Sequence, residues 1–430
     1  MMSRFIPFRL PDSLVLGCAT AATQIEGGDK NNSWYAWAQK PGKIEDGTTP
    51  ERANQHWNRV KEDLSLMSHM GIKNYRFGIE WSRIEPSEGL FDDVAMEHYR
   101  TEIKCMLSHG IQPLVTLHHF SNPIWFEKKG AFKNKSCIPI FRRYASYVVS
   151  HLMDLCSDYV TINEPNVYAV FGYVYGTWPP GQTNLLRSFR VLKHLTLCHL
   201  HTYRDIHTAY GDRPVRVGFA NHLRVFVPYS KGPIDAMQSK IMEYLFQGAI
   251  TKSMSTGKLS FPIGFGSPLG KGRFYDYIGI NYYSRSVIRN FSEMICTDRP
   301  TNDLGWDIYP EGLSILCKEQ YKKYRAPIWI TENGTCDKED DFRSAFIYDH
   351  LKQICDDALP VERYYHWTFM DNFEWAEGES APFGLVACDF ATQTRKIRSS
   401  GHFYHDLIRE RAVTPAMINR YLEKSTVEQR

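Results

Sequence analysis

The run Tyr159-Val160-Thr161-Ile162 is short, aromatic and β-branched, and it stops at the polar pair Asn163-Glu164. Such a run bounded by polar residues reads as a strand, and the amphipathic stretch Leu186–Tyr210 that follows reads as a helix. The same alternation recurs along the chain. Val15–Ala19, Asn74–Ile79, Gln112–Leu117, Val215–Ala220, Tyr277–Asn281, Pro327–Ile330 and Tyr364–Phe369 are further runs of this kind. Arg59–Met70, Val94–His109 and Ile138–Cys156 are helical patterns between them. Strands that alternate with helices pair in parallel through right-handed crossovers. Eight of them predict an α/β fold closed into a single (β/α)8 TIM barrel spanning residues 1–430, with functional groups at the C-terminal strand ends. An open doubly wound sheet is the competing topology. No G-x-G-x-x-G follows the first run, which removes that fold's usual dinucleotide site.

Composition agrees with one large packed core. Of 430 residues, 43% are hydrophobic, 14% aromatic and 23% charged, a balance that excludes disorder as the dominant state. The net charge, 51 − 48 = +3, is too weak for a protein held on nucleic acid by its field. Ten Cys are scattered singly with no C-x-x-C, the pattern of reduced thiols in a cytoplasmic protein. No run approaches the roughly 18 apolar residues of a membrane span, so no membrane partner is expected. Arg4 and Arg9 precede an apolar stretch, and Val15-Leu16-Gly17-Cys18 is similar to a lipoprotein cleavage box. That stretch is short and follows Pro11-Asp12, so it reads as a barrel strand rather than a signal peptide.

The residues just past each run carry the functional signal. They are Gln24, then Arg76 with Glu80 and Trp81, His118-His119, Asn163-Glu164, Asn221-His222, Tyr282-Tyr283, Glu332-Asn333, and Trp367 through Glu374-Trp375. A barrel brings them to one rim. Carboxylates, amides and rings without a metal-ligand set suit a neutral sugar, whose hydroxyls take bidentate partners and whose C–H face takes an aromatic plate. Two carboxyls on opposite sides of an anomeric carbon cut a glycosidic bond, and a gap of about 5–5.5 Å gives retention of configuration.

The segments around Glu164 (Thr161-Ile162-Asn163-Glu164-Pro165) and Glu332 (Ile330-Thr331-Glu332-Asn333-Gly334) belong to a longer set of matches. With Gly17–Gly27, Tyr75-Arg76-Phe77, Thr116–His119, Gly279-Ile280-Asn281-Tyr282-Tyr283 and Asp371–Trp375, they resemble glycoside hydrolase family 1, the β-glucosidase and β-galactosidase family, over nearly the whole chain. The resemblance implies a retaining β-glycosidase acting on terminal glucosyl, galactosyl or fucosyl units, without cofactor or metal. It implies Glu164 as general acid/base and Glu332 as nucleophile, with Arg76 and Tyr283 as the nucleophile's partners and Asn281 in support. Asn163 would bind the 2-hydroxyl, and Gln24, His119 and Trp375 the 3- and 4-hydroxyls. Glu374 would chelate O4 and O6 over a floor formed by Trp367, with a cis peptide between Trp367 and Thr368.

Four positions depart from the family: Phe120 in place of an indole, Leu16 in place of Trp, Pro382 in place of Arg, and a short stretch from Tyr283 to Trp306. His194, Cys198 and His201 have metal-like spacing, but their helix reads as packed against the barrel. His118 reads as packed too. Tyr168, Tyr173, Tyr175 and Trp178 read partly as leaving-group contacts and mostly as loop packing. Two other readings stand beside the main one, a 6-phospho-β-glycosidase and a barrel that binds sugar without cutting it.

Overall fold

A computed structural model describes residues 4–423. Eight parallel strands close into a barrel: β1 (Val15–Ala19), β2 (Asn74–Gly78), β3 (Gln112–Thr116), β4 (Asp158–Asn163), β5 (Arg216–His222), β6 (Ile278–Tyr282), β7 (Ile328–Asn333) and β8 (Val361–Trp367). Neighbours in sequence are neighbours in space, and β8 closes on β1 with Arg363 opposite Val15 and Trp367 opposite Ala19. The expected TIM barrel is therefore present. The strand bounds differ from the sequence reading mainly at β8, which begins at Val361 rather than Tyr364. Glu362 and Arg363 interrupt the apolar run there, yet Arg363 pairs with Asp158 at 2.8 Å and lies over the Trp329 ring at 4.0 Å.

Helices cover the outside, and their ends follow ordinary capping chemistry. Asp92 accepts from the N–H groups of Val94 and Ala95 to start α1 (Asp93–Ser108), and Asn184 accepts from Arg187 N–H to start α2 (Leu185–Tyr210). On α2, His194 Nδ1 donates to Phe132 O at 2.7 Å, and Cys198 Sγ lies 4.0 Å from Cys137 Sγ. Those two side chains are packed, as their helical face suggests. Among the described residues, no helix is long and apolar enough to cross a membrane.

One buried ionic network ties the start of the chain to its end. His56 bonds Asp63 at 2.8 Å and Glu102 at 3.1 Å, while Arg395 bonds Asp63 at 2.9 Å. Burial opposes the charged imidazole, but the two carboxylates prevail and push His56 up from 6.5 to about 10. A group whose folded value is raised stabilises fully below its unfolded value and loses that contribution as pH rises through the folded one. His56→Phe takes this partner from buried Glu102 and leaves Asp63 to Arg395 alone, and is expected to cost about 3–5 kcal/mol. Thermal melts should show the largest deficit against the native protein near pH 6, shrinking towards pH 10.

Candidate active site

The C-terminal strand ends hold a cavity whose lining includes His119, Trp367, Glu374 and Trp375 together with Glu164, His222, Tyr283 and Glu332. Glu332 ends β7 beside Asn333 and Gly334. Gly334 matters because a Cβ there would run into the Trp367 carbonyl, so only glycine lets β7 and β8 approach this closely. The peptide between Trp367 and Thr368 is cis, as the resemblance implied. Glu164 follows β4 in a left-handed conformation, with φ 41°, and Pro165 then starts a helix.

The hydrogen bonds fix which atom faces which. Arg76 is wholly buried and donates from Nη1 to Glu332 Oε1 at 2.6 Å and to Thr331 O at 3.1 Å. Its Nη2 donates to Asn163 Oδ1 at 2.6 Å and its Nε to Thr116 Oγ1 at 3.1 Å. Arginine has no acceptor, so the oxygen of Asn163 must face it and the Asn163 amide nitrogen must face His119 Nε2, 2.9 Å away. Asn281 Nδ2 then donates to Asn163 Oδ1 at 3.0 Å and to Glu164 Oε1 at 2.8 Å, while its own oxygen accepts from Thr331 Oγ1. Tyr283 donates to Glu332 Oε2 at 2.7 Å. His222 bonds Glu164 Oε1 at 3.1 Å and is in turn bonded by Arg224.

Glu374 also lines the cavity and is held by the buried Gln24. Gln24 Nε2 donates to Glu374 Oε2, Asn372 Oδ1 and the Phe373 carbonyl. Gln24 Oε1 and His119 Nδ1 are buried and have no hydrogen-bond partner within the protein. An unpaired buried polar atom is costly. Trp375 stacks on His119 and packs against Trp34, Phe120 and Trp178.

Electrostatics divide the carboxyls. Burial, with the Glu164 charge beside it, pushes Glu332 up to about 7 against the pull of Arg76 and Tyr283. Arg76 and Tyr283 both donate to Glu332, and a donor to the charged form favours it, so these two bonds work against the rise. Burial also pushes Glu374 up to about 8, with Glu332 adding to the rise and Trp367 and Gln24 opposing it. His119 is held far below its usual value by burial and by Arg76, so it is neutral.

Every residue singled out by the resemblance lies in this cavity or is bonded to a side chain that lines it. His118 points away, bonding Asn122 among the rings of Phe132, Phe141 and Tyr168. Of the four rings after Glu164, Trp178 lines the cavity, Tyr168 and Tyr173 are buried in packing, and Tyr175 is exposed. The sequence reading gave no role to Arg224, Leu304 and Trp306, which also line it, or to the Thr116 and Thr331 hydroxyls. Arg224 sits two residues beyond β5, and no motif marks it.

The sequence profile described as Glycosyl hydrolase family 1 matches residues 7–262 and 271–413. Beta-glucosidase A of Acetivibrio thermocellus is 31% identical, over 93% of this chain and 98% of its own. The solved beta-glycosidase of Pyrococcus horikoshii superposes with a TM-score of 0.86 at 32% identity, covering 97% of this chain and 98% of that one. The Thermotoga maritima beta-glucosidase in complex with glucoimidazole gives 0.87 at 27% identity, covering 94% and 99%.

The raised Glu374 carboxyl can be read without substrate. An infrared difference between the native protein and Glu374→Gln should contain a protonated-carboxyl band at pH 6 that fades as pH passes about 8. A band already absent at pH 6 would contradict the balance of burial and hydrogen bonding described above.

Proposed function

Since the chain belongs to glycosyl hydrolase family 1, we propose that it hydrolyses terminal, non-reducing β-D-glucosyl residues, with galactosyl and fucosyl units as further substrates. The observation that carries this reading is the pair Glu164 and Glu332 in one cavity, one bonded by a guanidinium and a phenol, the other by an amide and an imidazole. Glu332 attacks the anomeric carbon while Glu164 protonates the departing oxygen. Glu164 then takes a proton from water, which displaces Glu332 with net retention. Asn163 meets the 2-hydroxyl, with its amide aimed by Arg76. Gln24, His119 and Trp375 take the 3- and 4-hydroxyls, Glu374 takes O4 and O6, and Trp367 lies beneath the ring. The unpaired Gln24 Oε1 and His119 Nδ1 support these contacts.

We read residues 1–430 as one barrel domain acting in the cytoplasm on a small β-glycoside or oligosaccharide. A phosphate on O6 fits less well. Glu374 lies where it would sit, and Arg224, the cation lining the cavity, lies on the Glu164 side.

Glu332→Gly should abolish hydrolysis, and external formate should restore turnover of an activated β-glucoside. A folded variant that formate cannot rescue would count against Glu332 as nucleophile. Side-by-side kinetics of a chromogenic β-glucoside and its 6-phosphate should favour the unphosphorylated sugar. Glu374→Ala should lower glucoside turnover about ten- to a hundredfold, the cost of leaving buried hydroxyls without a hydrogen-bond partner. Fucosides, which lack O6, should lose less.

A further inference from the structure

Two donors converge on the same oxygen of Glu164. Asn281 Nδ2 lies 2.8 Å and His222 Nδ1 3.1 Å from Oε1. The His222 tautomer is forced by its other neighbour. Arg224 Nε donates to His222 Nε2 at 2.9 Å, and a guanidinium can only donate, so Nε2 is an acceptor and Nδ1 carries the hydrogen. Arg224 is itself held firmly. Gln247 clamps its backbone, accepting from N–H at 2.8 Å and donating to the carbonyl at 3.0 Å. Its Nη1 reaches Ser286 Oγ at 3.2 Å and the exposed Glu293 at 3.3 Å. The Tyr283 ring stacks on His222 with centroids 5.7 Å apart, and Phe246 packs edge-on at 6.0 Å.

We propose that His222, locked in one tautomer by Arg224, is a positioning residue for the acid/base Glu164. With Asn281 it saturates Oε1 with donors, so the proton of the acid form resides on Oε2. The inference rests on the assignment of Glu164 above and deepens it. The charged and titratable groups facing the pair are Arg224 and Glu293 on one side, and Tyr283 with Glu332 behind it on the other. A second proton on His222 would set an imidazolium against Arg224, and burial disfavours it as well. His222 is therefore a fixed donor rather than a proton carrier.

A donor that aims the acid should matter only where the leaving group needs protonation. The test compares dinitrophenyl and methyl β-glucosides across pH for His222→Phe, His222→Asn and Arg224→Met. His222→Phe is expected to lower kcat/KM for the methyl glucoside by about ten- to a hundredfold, part of what general acid catalysis supplies, and for the dinitrophenyl glucoside by less than about threefold. The alkaline limb of its profile should move to higher pH, because a donor to the ionised carboxylate is gone. His222→Asn keeps a donor at the Nδ1 position and should restore both properties. Arg224→Met should show the same leaving-group split, and nitrogen NMR of labelled histidine should show His222 leaving the Nδ1–H tautomer. Equal losses on both glucosides, or an unmoved alkaline limb in His222→Phe, would overturn the proposal. If His222→Phe fails to fold, the Arg224→Met split and tautomer decide in its place. A folded Glu164→Gln variant that loses equally on both glucosides would strike the parent assignment instead, so the two can be told apart.

Discussion

The Arg76 guanidinium is the constraint on which the rest of the cavity depends. A cation removed from water must find its partners inside the protein, and this one finds them on three strands besides its own. It reaches Thr116 at the end of β3, Asn163 at the end of β4, and Thr331 and Glu332 at the end of β7. Because the fork is planar, these strand ends cannot slide independently. Donor and acceptor directions then propagate outward: Arg76 sets the flip of Asn163, Asn163 sets that of Asn281, and Asn281 contributes to Glu164.

The same cation explains how two carboxyls in one cavity do different work. Both ends of Glu332 are met by donors, one charged, whereas Glu164 has donors on one oxygen only. Burial resists charge on Glu332, and Arg76 and Tyr283 oppose it there, whereas the donors to Glu164 are an amide and an imidazole. That is the asymmetry a nucleophile and an acid require.

Much of this was legible in the amino-acid order, for a physical reason. Barrel strands are buried on both faces, so they read as apolar or β-branched runs, and function collects where the runs stop. The start of β8 was hidden because Glu362 and Arg363 break its run; Arg363 is paired by Asp158 and Glu362 accepts from the Trp329 indole, neither of them near in sequence. His222 was visible as a polar strand end, but its role depends on Arg224, whose anchors Gln247 and Glu293 come from elsewhere in the chain. The upward push on Glu332 and Glu374 comes from burial, which no local motif reports. Phe120, read as standing in place of an indole, lines the cavity against Trp178 and Trp375.

The contacts that build the cavity span almost the whole chain. Arg76 and Glu332 are 256 residues apart, and Gln24 and Glu374 are 350 apart. The seam between β1 and β8 joins residues 15–19 to residues 363–367, far apart along the chain. Bringing such distant segments together is entropically slow, and half-barrels can gather local helices and strand pairs well before the ring is complete. The cavity is consequently absent from any partial structure on the way to the native state. Recovery of turnover during refolding should thus trail the return of secondary structure, and enzymatic activity becomes a clock for ring closure.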